Sequence, residues 1–325
     1  MLKMDSLVAP ELVESMVGGL FGAIDVDGGP TTEQFAVLQA ITSHLWLRPD
    51  LELSSQLSLP PSVIADRITD PSARRRFAEV MFTLEMCRHP LTEAQVSSCE
   101  AYSAALGSSP VEVAIFRTAI DEGVAKAKGD FDRYFNEFVP QRSEIIFADR
   151  VLEAPHLDPE LLARVEGYHA LPKGTLGWHL CEFYRTYRFS VPGTEISPNT
   201  YLYLDHDFIH IISGIAPTGA GEIALGAFQM AMDDTPVNTF AFFAPLIVHE
   251  AGLGAIDDIV ETSYTLARPG AAELLGQEFE RGANTTGDFA FIDHLALAEV
   301  PLAEVRRQFG VRRPVDPDDG HHLFW

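Results

Sequence analysis

Along most of the chain apolar residues recur every three to four positions, and Pro, Gly, Ser, Thr and Asp repeatedly interrupt the pattern. That period gathers apolar side chains on one face of an α-helix, whereas the alternation of a half-buried strand is scarce. The chain therefore reads as all-α. Val8 to Ile24 is amphipathic, and Glu33 to Leu47 follows a turn in which Thr31 or Thr32 can cap. Further helical stretches begin at Pro60-Pro61 and Asp70-Pro71, the latter running to Cys87, and another ends near Leu106-Gly107. Val111 to Phe138 is helical by period with an interruption at Gly129. Trp178 to Tyr187, Thr200 to Ser213, Glu222 to Met232, Val237 to Glu250 and Ala255 to Leu266 complete the set. Phe240 to Val248 alone fits a buried strand equally well. Pro314 to Trp325 reads as an extended or flexible end.

A length of 325 residues corresponds to about two domains. The punctuation at Ser108-Ser109-Pro110 and the stop at Pro140 place a helical linker over 108–142, between a helical accessory domain (1–107) and a second domain (143–325). The chain carries 47 acidic against 23 basic residues, net −24, and 27 of the acids lie after residue 142. That balance argues against a nucleic-acid partner and against a polybasic anchor on anionic lipid. Contact with lipid through apolar surface is a separate matter, since charge does not decide it. Cys87, Cys99 and Cys181 form no CxxC pair, which fits a reducing compartment. The opening residues lack a signal-peptide core, and the longest apolar run, Thr239 to Val248, is about half of a membrane span. The expected location is cytoplasmic, with peripheral contact at the membrane.

One cluster carries chemistry. His206 and His210 stand four apart with Asp207 beside them, and Glu222 follows after eleven intervening residues. On a helix the two imidazoles share a face, and Asp207 lies about 100° round, placed to ligate or to orient. Ser213 to Gly221, with three glycines and Pro217, can reverse the chain, and Thr218 can cap the helix that returns Glu222. Two nitrogens and one or two carboxylate oxygens, with no sulfur, suit zinc, and equally manganese or ferrous iron. His249-Glu250 is followed by Leu253 where H-E-x-x-H needs histidine. A metal-dependent phosphohydrolase would have to recruit His179 and Asp233 or Asp257.

These residues carry a resemblance. Leu171-Pro-Lys-Gly-Thr-Leu-Gly177, the H-D-x-x-H-x11-E signature and Gly221 to Met230 resemble, in that order, the coenzyme Q (ubiquinone) biosynthesis family called Coq-four. Pro301 to Arg306 resembles its closing segment, and the match spans 145–313. The resemblance implies an all-helical bundle with an apolar pocket for a polyprenyl chain. It also implies a metal, usually zinc, on His206, Asp207, His210 and Glu222, and oxidative decarboxylation at C1 of a prenylated hydroxybenzoate-like ring. The implied partners are a prenylated aromatic or quinone-like lipid and other enzymes of the same biosynthesis. A non-catalytic lipid-binding scaffold with a structural metal is the alternative. Tyr201 and Tyr203, one turn before the ligands, and Trp178 beside the glycine turn are candidate substrate-pocket residues. Where the family has basic residues before the His-Asp pair, this chain has Tyr201-Leu-Tyr-Leu-Asp205.

Residues 1–107 resemble, more faintly, the tellurite-resistance TerB-like helical family, through Asp25-Val-Asp27-Gly28 and Glu33. A second turn, with Cys87-Arg88-His89-Pro90 in place of the acidic-glycine pair, ends at Glu93. This segment reads as an accessory or docking module.

Overall fold

Two turns of similar sequence open two helices in the first hundred residues, and the structure shows why they look alike. In this computed structural model, which describes residues 8–110, 112–121, 124–147, 150, 155–197, 199–253 and 262–325, Thr31 and Thr92 are both N-caps. Each hydroxyl accepts from the backbone N–H of a glutamine three residues on, Gln34 at 3.1 Å and Gln95 at 3.2 Å. The two glutamines meet in the core, Gln34 Nε2 donating to Gln95 Oε1 at 2.9 Å. The repeat is a shared way of starting two facing helices.

Among the described residues the chain is all-α, with fourteen α-helices. They are α1 (Pro10–Ile24), α2 (Thr32–Ala40, continued by a π-turn to Leu45), α3 (Pro61–Arg67), α4 (Pro71–Met86), α5 (Glu93–Leu106), α6 (Glu112–Asp121) and α7 (Val124–Phe138). There follow α8 (Pro159–Gly167), α9 (Leu176–Tyr187), α10 (Thr200–Ser213), α11 (Gly219–Met232), α12 (Pro236–His249), α13 (Ala271–Ala283) and α14 (Leu302–Gln308). Phe240 to Val248 is helix, inside α12, capped by Thr235 and Pro236. Gly129 lies within α7, so the expected interruption there does not occur. The expected helix from Ala255 falls largely outside the described residues, and Thr262 to Leu266 is not helical.

The buried side chains form two hydrophobic clusters. The first joins α1 to α5 with faces of α7, α11, α12 and α13, and so draws on both sides of the 108–142 segment. The second joins α8, α9, α10 and α14 with the last residues of the chain. The α11 helix serves both. Ile223, Ala224 and Ala227 face the first cluster, and Leu225, Phe228 and Met232 the second. A helix apolar on all sides is stable only when surrounded, and burying Phe228 alone contributes about 2–3 kcal/mol. Small residues let its neighbours approach to backbone contact. A Cβ on Gly226 would lie 2.4 Å from the Ala241 carbonyl oxygen, and one on Gly282 2.1 Å from that of Phe228.

The last residues are pinned rather than flexible. Leu323 N–H donates to the Gly214 carbonyl at 2.9 Å and Ala216 N–H to that of His321 at 2.8 Å. The Trp325 ring lies under the Arg306 guanidinium, 3.6 Å from its centroid. No helix among the described residues is long and apolar enough to cross a membrane.

Candidate metal centre

The C-terminus of α10 leaves carbonyls that need partners, and two arginines supply them. Arg306 donates to Ile211 and Ile212 at 2.9 and 3.0 Å, and Arg281 to Ser213 at 2.6 Å. Gly214 takes the left-handed conformation (φ 74°) that ends the helix. Thr218 then accepts from Gly221 N–H at 3.0 Å and caps α11, as the sequence implies. Gly221 permits the reversal, since a Cβ there would lie 2.0 Å from the Ala216 carbonyl oxygen. The result places Glu222 in the first turn of α11, where the helix dipole favours a carboxylate, opposite His206 and His210.

The three side chains converge. His206 Nε2 lies 3.0 Å from His210 Nε2 and 3.1 Å from Glu222 Oε2, and His210 Nε2 lies 3.2 Å from Glu222 Oε1. A tetrahedral ion with bonds of about 2.0–2.2 Å spaces its donors about 3.3–3.6 Å apart. An octahedral ion with bonds near 2.1 Å spaces neighbours about 3.0 Å apart. The observed contacts of 3.0–3.2 Å match the octahedral spacing and fall short of the tetrahedral one.

His210 Nδ1–H donates to the Ile215 carbonyl at 2.9 Å, which leaves Nε2 as the lone-pair atom aimed at the other two donors. The Phe183 ring lies against its imidazole, 5.8 Å between centroids. His210 is buried, whereas the His206 side chain keeps 32% of its surface and Glu222 19%. The site is reached from the His206 side. Burial lowers the basicity of His206, with Glu222 opposing it. Burial acts on His210 the same way, but Glu222 and the Ile215 carbonyl outweigh it and its basicity rises. Burial would raise Glu222, yet the two imidazoles hold its carboxyl well below the usual range.

The other expected residues lie elsewhere. Asp207 is outside the group of donors within 4.8 Å of one another; its carboxyl is buried beside Tyr184. Burial pushes it to about 7, against the pull of His210 and the Tyr184 hydroxyl. The Ile215 carbonyl, not Asp207, orients His210. Tyr201 is buried with its hydroxyl on Asp158 at 2.9 Å. Tyr203, on the same stripe as His206, is half-buried against the first cluster. Trp178 is half-buried, edge-on to His179 at 5.0 Å. His179 packs on Phe324, and neither it nor Asp233 belongs to the donor group; Asp257 lies outside the described residues. A cavity of about 250 Å³, lined by Val165, Cys181, Tyr184, Phe189 and Val191 among others, borders the Asp207 side of α10 through Tyr184.

Two neighbours were not legible in the sequence. Arg142, just after α7, is buried, and its Nη1 finds no hydrogen-bond partner among the described residues. Its charge balances Asp205 and Asp288 and reaches His206, whose basicity it lowers. No local motif marks Arg142, which lies far from α10 in the chain. His294 forms a buried group with Glu144 and Asp205. Its Nδ1 lies 2.8 Å from Glu144 and its Nε2 2.9 Å from the Phe289 carbonyl, so both ring nitrogens donate. That ring is an imidazolium tie with no lone pair for a metal.

No family model matches the chain, and no curated protein matches it. Among solved structures it is similar to a protein from Nostoc punctiforme PCC 73102 described as a "putative ubiquinone biosynthesis protein". The TM-score is 0.35 at 17% identity, over 62% of this chain and 95% of that one.

Proposed function

We propose that this chain is a metal-dependent enzyme of ubiquinone-like biosynthesis. It would replace the C1 carboxyl of a prenylated hydroxybenzoate-like ring with a hydroxyl in an oxidative decarboxylation, the carboxyl carbon leaving as carbon dioxide and dioxygen taking up the two electrons. The observation that carries the metal part is the convergence of His206 and His210, 3.0 Å apart at their Nε2 atoms, on the two carboxylate oxygens of Glu222 at 3.1 and 3.2 Å. The ring chemistry rests on the resemblance of the H-D-x-x-H-x11-E signature and its flanking segments to the Coq-four family.

Held by these three residues, a divalent ion supplies Lewis acidity toward the ring carboxylate or a neighbouring oxygen. The protein's own groups do the rest. The Ile215 carbonyl fixes the His210 tautomer, and Glu222 offsets the charge of the site. Arg142 places a buried positive charge near His206, from a part of the chain remote from the His-Asp pair. This reading assigns Arg142 to the anionic ring carboxylate, in place of the basic residues absent just before His206. Three protein donors and an accessible His206 favour an open, catalytic coordination over the closed set of a structural metal.

The test uses a short-prenyl hydroxybenzoate labelled in its carboxyl carbon, incubated in air with zinc-, iron- or manganese-loaded protein. Labelled carbon dioxide is expected from the unmodified chain, and at least 100-fold less from Glu222→Gln. No release above buffer with any of the three metals overturns the assignment.

A further inference from the structure

A second group of ionisable side chains gathers where the end of α4 meets the end of α12. Glu33, Cys87 and Glu250 each place one donor atom within 4.8 Å of the other two. His89, two residues past Cys87, sets its Nε2 2.6 Å from Glu250 Oε1 and 4.0 Å from Glu33 Oε2. Glu250 and Cys87 are buried, and the Glu33 side chain is 10% exposed. Glu250 Oε2 accepts from Leu266 N–H at 2.8 Å, whereas Glu33 Oε1 accepts no hydrogen bond among the described residues.

Two buried carboxylates this close need a cation or a proton between them. His89 serves Glu250 directly and leaves Glu33 with an unmet oxygen. The donors on offer are a thiol, an imidazole and two carboxylates. Calcium and magnesium make no use of sulfur or nitrogen; zinc and cobalt use all three atom types.

We propose that Glu33, Cys87, His89 and Glu250 form a second divalent-cation site, of the zinc class, clasping α2 and the segment after α4 to the end of α12. A tetrahedral zinc-class ion separates thiolate sulfur from carboxylate oxygen by about 3.5 Å, so loading draws the side chains together. Entry is from the half-exposed His89, whose ring edge meets Tyr264 at 4.2 Å. Without a cation, a proton held between the Glu33 and Glu250 carboxyls takes the same place. Cation and proton are the two states the test separates.

Cobalt(II) distinguishes this site from the His206 centre, because that centre contains no sulfur. The chain is stripped with chelator and titrated with cobalt(II), and the thiolate-to-cobalt charge-transfer absorption is followed in the near ultraviolet. The expected band saturates by two equivalents per chain in the unmodified protein and by one in His210→Ala, and it is lost in Cys87→Ser. Glu33→Gln weakens the cobalt affinity at least tenfold. Absence of the band in the unmodified, folded chain at saturating cobalt overturns the proposal, as does its persistence in Cys87→Ser. The readout is independent of the reaction proposed above, so either reading can fail alone.

Discussion

His206 Nε2 and His210 Nε2 face each other at 3.0 Å, and His210 has already committed its Nδ1–H to the Ile215 carbonyl. Two nitrogens so placed need a shared proton or a shared cation between them. Asp207, although adjacent in sequence, is not part of that triangle. His210→Ala should therefore lower zinc affinity by roughly 100-fold or more, whereas Asp207→Asn should stay within about tenfold of the unmodified chain. Competition with a chromophoric chelator measures both, and equal losses would return Asp207 to the ligand set.

Gly214 ends α10 with φ 74°, and a Cβ there would lie 2.0 Å from Trp325 Nε1. Gly214→Ala combines backbone strain with displacement of the tail that Arg306 holds. The expected cost is about 2–4 kcal/mol in urea unfolding. Unchanged stability would contradict the packing described.

At the crossing of α11 and α13, Gly282 meets the backbone of Phe228. Any side chain forces the helices apart, so Gly282→Ala should cost about 1–3 kcal/mol even though alanine is the better helix former. A neutral or positive change in thermal unfolding would refute that contact.

His322 donates through Nε2 to Glu278 at 3.1 Å and through Nδ1 to Asp319 at 3.0 Å. Burial alone would lower its basicity, but the Glu278 and Asp319 carboxylates raise it above the ordinary histidine value. A base whose folded-state pKa is raised binds its proton more tightly in the native chain. Its stabilisation is complete below about pH 6.5 and fades as pH climbs through the raised value. The fall in melting temperature above neutrality should be shallower in His322→Gln than in the unmodified chain. Identical pH profiles would exclude the ion pair.

The helices and the convergence of His206, His210 and Glu222 were legible in the sequence because both are local. Thr218, Gly214 and Pro236 mark their ends by chemistry that acts within a turn, and His206 and His210 share a face by helical period alone. Helix α13 escaped because Gly276 and Gly282 weaken its helical signal. Both are where it touches the backbones of Ala40 and Phe228. Asp207 was misplaced since spacing says which side of a helix a residue occupies, not which neighbour fills that side. Arg142 and the meeting of Glu33, His89 and Glu250 depend on contacts between distant segments, and no short-range pattern reports them. The division of the chain at 108–142 remains a proposal about folding units; the first hydrophobic cluster spans it.

His206, His210 and Glu222 are proposed above to hold one metal ion. Metal content by inductively coupled plasma mass spectrometry, after zinc loading and desalting, tests it most directly. A His210→Ala/Glu222→Gln variant that keeps its helical circular dichroism should carry one equivalent of zinc fewer per chain than the unmodified protein. Equal zinc in the two would rule out a metal on these three residues.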